Sequence, residues 1–209
     1  MIIFDFLDFH PANFSRSAAL VILIVASICF LHTRVVYAQD GVLRLSIRAE
    51  SAKFDDAIRE YQGIWESEGP RIGKAMERIT SLHFEPGPIS VVVYEGPSNS
   101  GFRDRPMRLR ASYPLETKRA TLVHELAHRL ISELVPQDFE DHPIIFLFVY
   151  DVWVELWGKP FADEQVAVES RRRGLYDYET AWKNTLKLTA EEREARFKQF
   201  LSDHPPRKN

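Results

Sequence analysis

Between residues 41 and 50 the chain reads "GVLRLSIRAE", with apolar Val42, Leu43, Leu45 and Ile47 set among polar and charged neighbours. That alternation predicts a short strand. Ser51 then offers a cap for a helix carrying Phe54, Ile58, Tyr61 and Trp65 at helical spacing. Glu68-Gly69-Pro70 predicts an interruption, after which Ile72, Met76, Ile79 and Leu82 continue on a second helical segment. A breaker cluster, "EPGP" (85–88), precedes "ISVVVYEG" (89–96), whose β-branched residues predict a strand stopped by Gly-Pro. Beyond a loop, "MRLRASY" (107–113) alternates again and reads as an exposed edge strand.

From Leu115 onward the spacing turns helical. One helix carries "TLVHELAHRLI" (121–131), and a second covers "HPIIFLFVYDVWVELWG" (142–158), where Pro143 suits the start and Gly158 the stop. A third is expected over 161–173, and Thr189 with Glu192 makes a capping box for the last. Strands first and helices afterwards describe an α+β domain.

The N-terminus stands apart from this pattern. Ser17 to Leu31 is an apolar run between Arg16 and Arg34, short for a membrane span of about 20 residues but suited to a signal-peptide core. Val36-Tyr37-Ala38 follows with small residues at the cleavage positions. The expectation is a signal peptide over 1–38, cleavage after Ala38, export to the periplasm or beyond, and one domain over 39–209. An uncleaved signal anchor holding the domain at the membrane is the alternative, so any membrane association runs through this N-terminal segment alone. The net charge of -3 gives no concentrated positive surface for nucleic acid. Two basic runs, "RDRPMRLR" (103–110) and "RRR" (171–173), leave that unchanged: the first alternates like a strand and the second sits among acids. The single cysteine, Cys29, lies in the apolar run. The expected domain therefore has no thiolate, and any metal must be held by His, Asp and Glu.

Chemistry concentrates in Thr121–Ile131. His124 and His128 are one helical turn apart on one face, so both imidazoles can reach a single ion. Glu125 is rotated by about 100° from His124, beside such an ion rather than on it, where it can take a proton from water. Zinc at this spacing lowers the pKa of its water to near 7. Leu122, Val123, Leu126, Ala127, Leu130 and Leu134 form an apolar face, and the two histidines stand at its margin. Buried there without a partner, each imidazole would cost roughly 1–3 kcal/mol. Asp151 and Glu155, four apart in an apolar helix, are also costly to bury unless on a metal or paired with an arginine such as Arg129.

His124, Glu125 and His128, with Thr121, Leu122, Leu126, Ala127 and Leu130 around them, resemble the active-site helix of the zincin metallopeptidases. Arg129 departs from that pattern, and Ile131 and Leu134 stand where one branch carries Gly and His. The resemblance implies a zincin-like α+β core and a zinc-dependent peptidase with Glu125 as general base. It also implies a third zinc ligand from a carboxylate on a following helix. Asp151 takes that role with Glu155 orienting His124, or the two exchange roles. His142, Tyr150 and Tyr113 are candidate donors to the oxyanion of the intermediate, while Trp153 and Trp157 read as core. Substrate would be a peptide or protein, extended along the 107–113 strand, with Arg108 and Arg110 on one face. A non-catalytic scaffold of the same shape in the cell envelope is the rival expectation.

Overall fold

Parallel strands cannot be joined by a tight turn, and this chain meets that constraint with one long helix. The computed structural model describes residues 43–101, 105–136, 139–173 and 176–205; the expected signal peptide and its cleavage site lie outside them. Strand β1 (Arg44–Ala49) is followed by a single 3-10 turn (Ala52–Phe54), which Ser51 caps, and then by α1 (Asp55–Thr80). Helix α1 returns the chain to β2 (Pro88–Tyr94), parallel to β1, and β3 (Met107–Arg110) pairs parallel with β2 on its other side. The result is α+β: a three-stranded sheet, order β1-β2-β3, with six helices among the described residues.

The expected break at Glu68-Gly69-Pro70 does not occur, and Pro70 lies inside α1. A proline there deprives the carbonyl four residues earlier of its donor. That carbonyl belongs to Glu66, which like Pro70 is exposed, so water can serve it. Glu68 and Gly69 meanwhile turn inward. The third strand is shorter than expected, since the chain leaves it after Arg110 and Pro114 starts the next helix.

Leu45, Ile47, Val91, Val93, Met107 and Leu109 form the sheet face that joins the core. Against the sheet and α1 packs α2 (Leu115–Ile131), the motif helix, buried from Ala120 through Ala127 without a gap. Next comes α3 (His142–Trp157), then α4 (Lys159–Glu169), α5 (Tyr178–Thr185) and α6 (Ala190–Asp203). Helix α3 touches all five other helices. That explains its sequence: a helix surrounded on every side is apolar all round and has no amphipathic stripe. Gly158, at φ 85°, stops it as expected. Thr189 and Glu192 form both bonds of the capping box, at 3.2 and 2.8 Å. The expected third helix ends at Glu169, leaving 171–173 outside it, and α5 was not anticipated. Asp177 starts α5 by accepting from the Thr180 N–H at 3.0 Å.

One carboxylate ties three helices together. Glu68 on α1 accepts from Arg119 Nε of the motif helix at 2.8 Å and from Trp157 Nε1 at the end of α3 at 2.6 Å. Arg71 adds a third contact at 3.1 Å. Charge-assisted bonds to a buried carboxylate are the stronger kind, and these hold its pKa below the usual range although burial opposes them. Glu68→Gln keeps the volume but gives up the charge and one acceptor. It should lower the unfolding free energy by about 1–3 kcal/mol in denaturant titration, with m unchanged.

Candidate metal centre

Three histidines converge at the meeting of α2 and α3. His124 and His128 come from adjacent turns of α2, and His142 is the first residue of α3. One nitrogen of each ring lies within 4.8 Å of the others. The ring centroids are 4.9 Å apart for His124–His128, 5.4 Å for His124–His142 and 4.7 Å for His128–His142.

Each ring presents Nδ1 to a different carboxylate. His124 Nδ1 is 3.0 Å from Glu169 Oε1, an ion-pair contact out of line for a straight hydrogen bond, and neither atom has another hydrogen-bond partner. His128 Nδ1 is 2.8 Å from Asp141 Oδ2. His142 Nδ1 meets the Glu140 carboxylate. An ionised carboxylate only accepts, so the Nδ1 protons are placed and Nε2 of a neutral ring is left with a bare lone pair. Nε2 of His124 and Nε2 of His128 then face each other at 3.1 Å. Two lone pairs at that separation repel, so a cation must lie between them: a proton on one ring or a metal ion. Two nitrogens on one tetrahedral zinc at 2.0–2.1 Å would be roughly 3.3–3.4 Å apart, close to the spacing found.

The electrostatics follow from burial. Desolvation pushes His124 down to about 4. Burial opposes the charge of Glu169, but the neighbouring His124 and Arg172 outweigh it and hold the carboxyl at about 2. At neutral pH this leaves Glu169 ionised and His124 neutral. His128 is raised despite its burial, through the Asp141 bond and the Glu125 charge. Its imidazolium can supply the proton between the two Nε2 atoms when no metal does. Glu125, 4% exposed, is pushed up to about 7 by burial, against the pull of His128 and Arg172.

A cleft of about 250 Å³ opens on the cluster. Glu125 and the three histidines line it, with Ser98, Asn99 and Ser100 as a polar stretch and Val135, Pro136 and Phe139 as an apolar one. Tyr178, just inside α5, also reaches it and holds its hydroxyl 2.9 Å from His142 Nε2. Tyr176 stacks on the same ring at 4.4 Å.

Of the residues singled out in the sequence, His124, Glu125, His128 and His142 come together. Asp151 and Glu155 do not, which corrects the expected carboxylate ligand. They stand about 14 and 20 Å further along α3 than His142 at 1.5 Å per residue, and they line a separate cavity with Arg78 and Phe197. Asp151, half-buried, takes two bonds from Arg193 of α6, one of them 2.9 Å, while Glu155 is exposed and pairs with Arg78 of α1. Arg129, the partner considered from the sequence, instead donates to the Arg105 carbonyl at 3.3 Å. Tyr150 is spent on Asp163 at 2.7 Å, and Tyr113 packs near Arg110 and Arg172. Glu169, Asp141 and Tyr178 escaped the sequence reading. Glu169 gave one faint signal, an acid closing the apolar Val166-Ala167-Val168.

The chain matches no protein-family model, no curated protein and no solved structure.

If Asp151 serves Arg193 alone, Asp151→Asn should cost about 1–3 kcal/mol in denaturant unfolding by leaving a buried guanidinium underpaired. Metal uptake by the purified protein should stay at the wild-type level, whereas a ligand's loss would abolish it.

Proposed function

We propose that this chain is an exported zinc-dependent peptidase of the zincin kind, with His124, His128 and His142 as the metal ligands. The observation that carries this reading is the three imidazoles with every Nδ1 turned to a carboxylate, so that Nε2 of His124 and Nε2 of His128 face each other beside Glu125 and the third ring, whose Nε2 takes the Tyr178 hydroxyl, lies against them. Carboxylate–histidine pairs of this type fix the tautomer and raise ligand basicity at metal sites. Nitrogen-only donors suit zinc among the divalent ions. Three protein ligands on a cleft leave a fourth position for water and substrate, whereas structural zinc is normally closed by four. Export is supported by the apolar run 17–31 and the small residues before Gln39.

Zinc, when bound, supplies a Lewis acid that lowers the pKa of water and polarises a carbonyl. The rest falls to side chains. Glu125, with a carboxyl near neutral pKa, accepts the proton of the attacking water and returns it to the departing amine. Tyr178, whose hydroxyl lies on His142 Nε2, is released when that nitrogen takes the metal and can then offer its proton to the oxygen that gains negative charge. His142, expected as such a donor, is reassigned here to the metal.

The path of the substrate also shifts. The outer edge of β3 is already occupied, because Asn99 and Arg108 exchange backbone bonds of 2.9 and 2.8 Å and the Arg110 N–H donates to Ser98 Oγ. In such a pair the N–H and C=O of the flanking residues point the other way. Ser98 and Ser100, which line the cleft, therefore offer the backbone edge on which an extended peptide can be held. Arg108 and Arg110 are engaged by Glu50 and Glu95 on the sheet and do not select substrate.

The purified domain should carry about one zinc per chain by elemental analysis, and His142→Ala should lose it as fully as His128→Ala. A His142→Ala protein that keeps its zinc would exclude this ligand set. Glu125→Gln should retain fold and zinc while peptide hydrolysis falls at least about 100-fold, since the amide cannot accept the proton. Equal turnover by the two proteins, or none by either against a broad peptide library, would support the scaffold reading instead.

A further inference from the structure

The basic run 171–173 sits among acids in the sequence, yet its three residues part company in the structure. Arg171 and Arg173 are exposed, while Arg172 turns inward. Its guanidinium side chain is 20% exposed and reaches Glu169 Oε1 with Nη1 at 3.2 Å. That oxygen is the one facing His124 Nδ1. Nη2 of Arg172 donates to Thr121 Oγ1 at 3.2 Å, and Thr121 is one turn before His124 on the motif helix. The other Glu169 oxygen takes Trp182 Nε1 at 3.0 Å. The same guanidinium lies 5.6 Å from the ring centre of Tyr178, whose hydroxyl is on His142.

We infer that Arg172 is a positioning residue for the metal centre: it clamps Glu169 to the motif helix and so holds the His124 ring with its Nε2 toward the ion. The inference rests on the zinc reading above and adds a residue that does not touch the metal. Thr121 and Trp182 complete the clamp, one on α2 and one on α5. The geometry demands Arg specifically. A planar fork can serve a carboxylate and a hydroxyl at once, whereas the ammonium of Lys is a single point on a shorter reach. Arg172 also ties Glu169, at the end of α4, to Thr121 of α2 through an ion pair to the same oxygen that faces His124.

Zinc affinity, read by competition with a chromogenic chelator, tests this without any use of turnover. Arg172→Met keeps most of the bulk and removes the fork, and it should bind zinc roughly 10–100-fold more weakly, as when a group supporting a ligand is lost. Arg172→Lys should fall between it and wild type. Arg171→Met and Arg173→Met, altering the same local charge on exposed side chains, should match wild type. A purely structural arginine would lower the melting temperature of the metal-free protein in Arg172→Met and leave the zinc affinity within twofold; that result overturns the inference. If Arg172→Met does not fold, Thr121→Val removes one arm of the clamp with the charge retained. It should still weaken zinc severalfold, and an unchanged affinity there overturns the inference too. Wild-type protein that takes up no zinc removes the metal reading itself, an outcome distinct from wild type binding tightly and Arg172→Met binding equally well.

Discussion

The pairing of each imidazole Nδ1 with its own carboxylate is the constraint on which the rest of this site depends. Without Glu169, Asp141 and Glu140 the rings could take either tautomer and turn freely. With them, Nε2 of His124 and Nε2 of His128 are brought lone pair to lone pair at 3.1 Å. That arrangement is unfavourable in itself and becomes favourable only with a cation in it. The three acids come from two places far apart in the chain. Glu140 and Asp141 sit immediately before α3, and Asp141 turns its side chain to His128 although it occupies the N-cap position of that helix. Glu169 closes α4, so the site needs both helices docked on the motif helix before it exists.

Docking of that kind requires a rigid centre, and α3 supplies it. Because α3 contacts every other helix, its N-terminal His142 is held at the site end while Asp151 and Glu155 are carried to the far end. The acidic pair then belongs to stability: Arg193 and Arg78 come from α6 and α1 to meet it. Glu68 plays the corresponding part between α1, α2 and the end of α3. Carboxylates thus cross-link the helices along α3, and only the site end gathers histidines.

The sequence revealed what short-range periodicity can carry. The three strands, the motif helix, the α3 boundaries at Pro143 and Gly158, and the capping box of α6 were all legible from residues a few positions apart. His124, Glu125 and His128 were legible for the same reason, because i, i+1 and i, i+4 relations are local. The third histidine of the cluster was not, since His142, Asp151 and Glu155 beyond the motif looked alike in the chain. An acid in an apolar helix costs the same to bury whether a metal or an arginine offsets it; Arg193 offsets the half-buried Asp151, and Glu155 reaches solvent. Pro70 misled for a related reason: its effect on a helix depends on whether water reaches the freed carbonyl, which is a tertiary fact. Glu169 and Arg172 were invisible because their meaning lies in contacts with His124 and Thr121 far earlier in the chain, the second at a separation of 51 positions.

The proposed ligand set of three neutral imidazoles also differs chemically from the two imidazoles and a carboxylate that the resemblance suggested. A divalent ion held by neutral donors keeps its full formal charge at the open position, where a carboxylate ligand would cancel one unit. That makes the ion a stronger Lewis acid toward water, but a costlier charge to bury. In this fold the compensating negative charge is placed one bond further out, on Glu169, Asp141 and Glu140 behind the rings. There it supports the ligands through Nδ1 without occupying the metal. Arg172 in turn keeps the most deeply buried of those acids from carrying its charge unpaired. With the proposed ion bound, the order of charges outward from the centre would be cation, neutral ring, carboxylate, guanidinium, each layer made tolerable by the next.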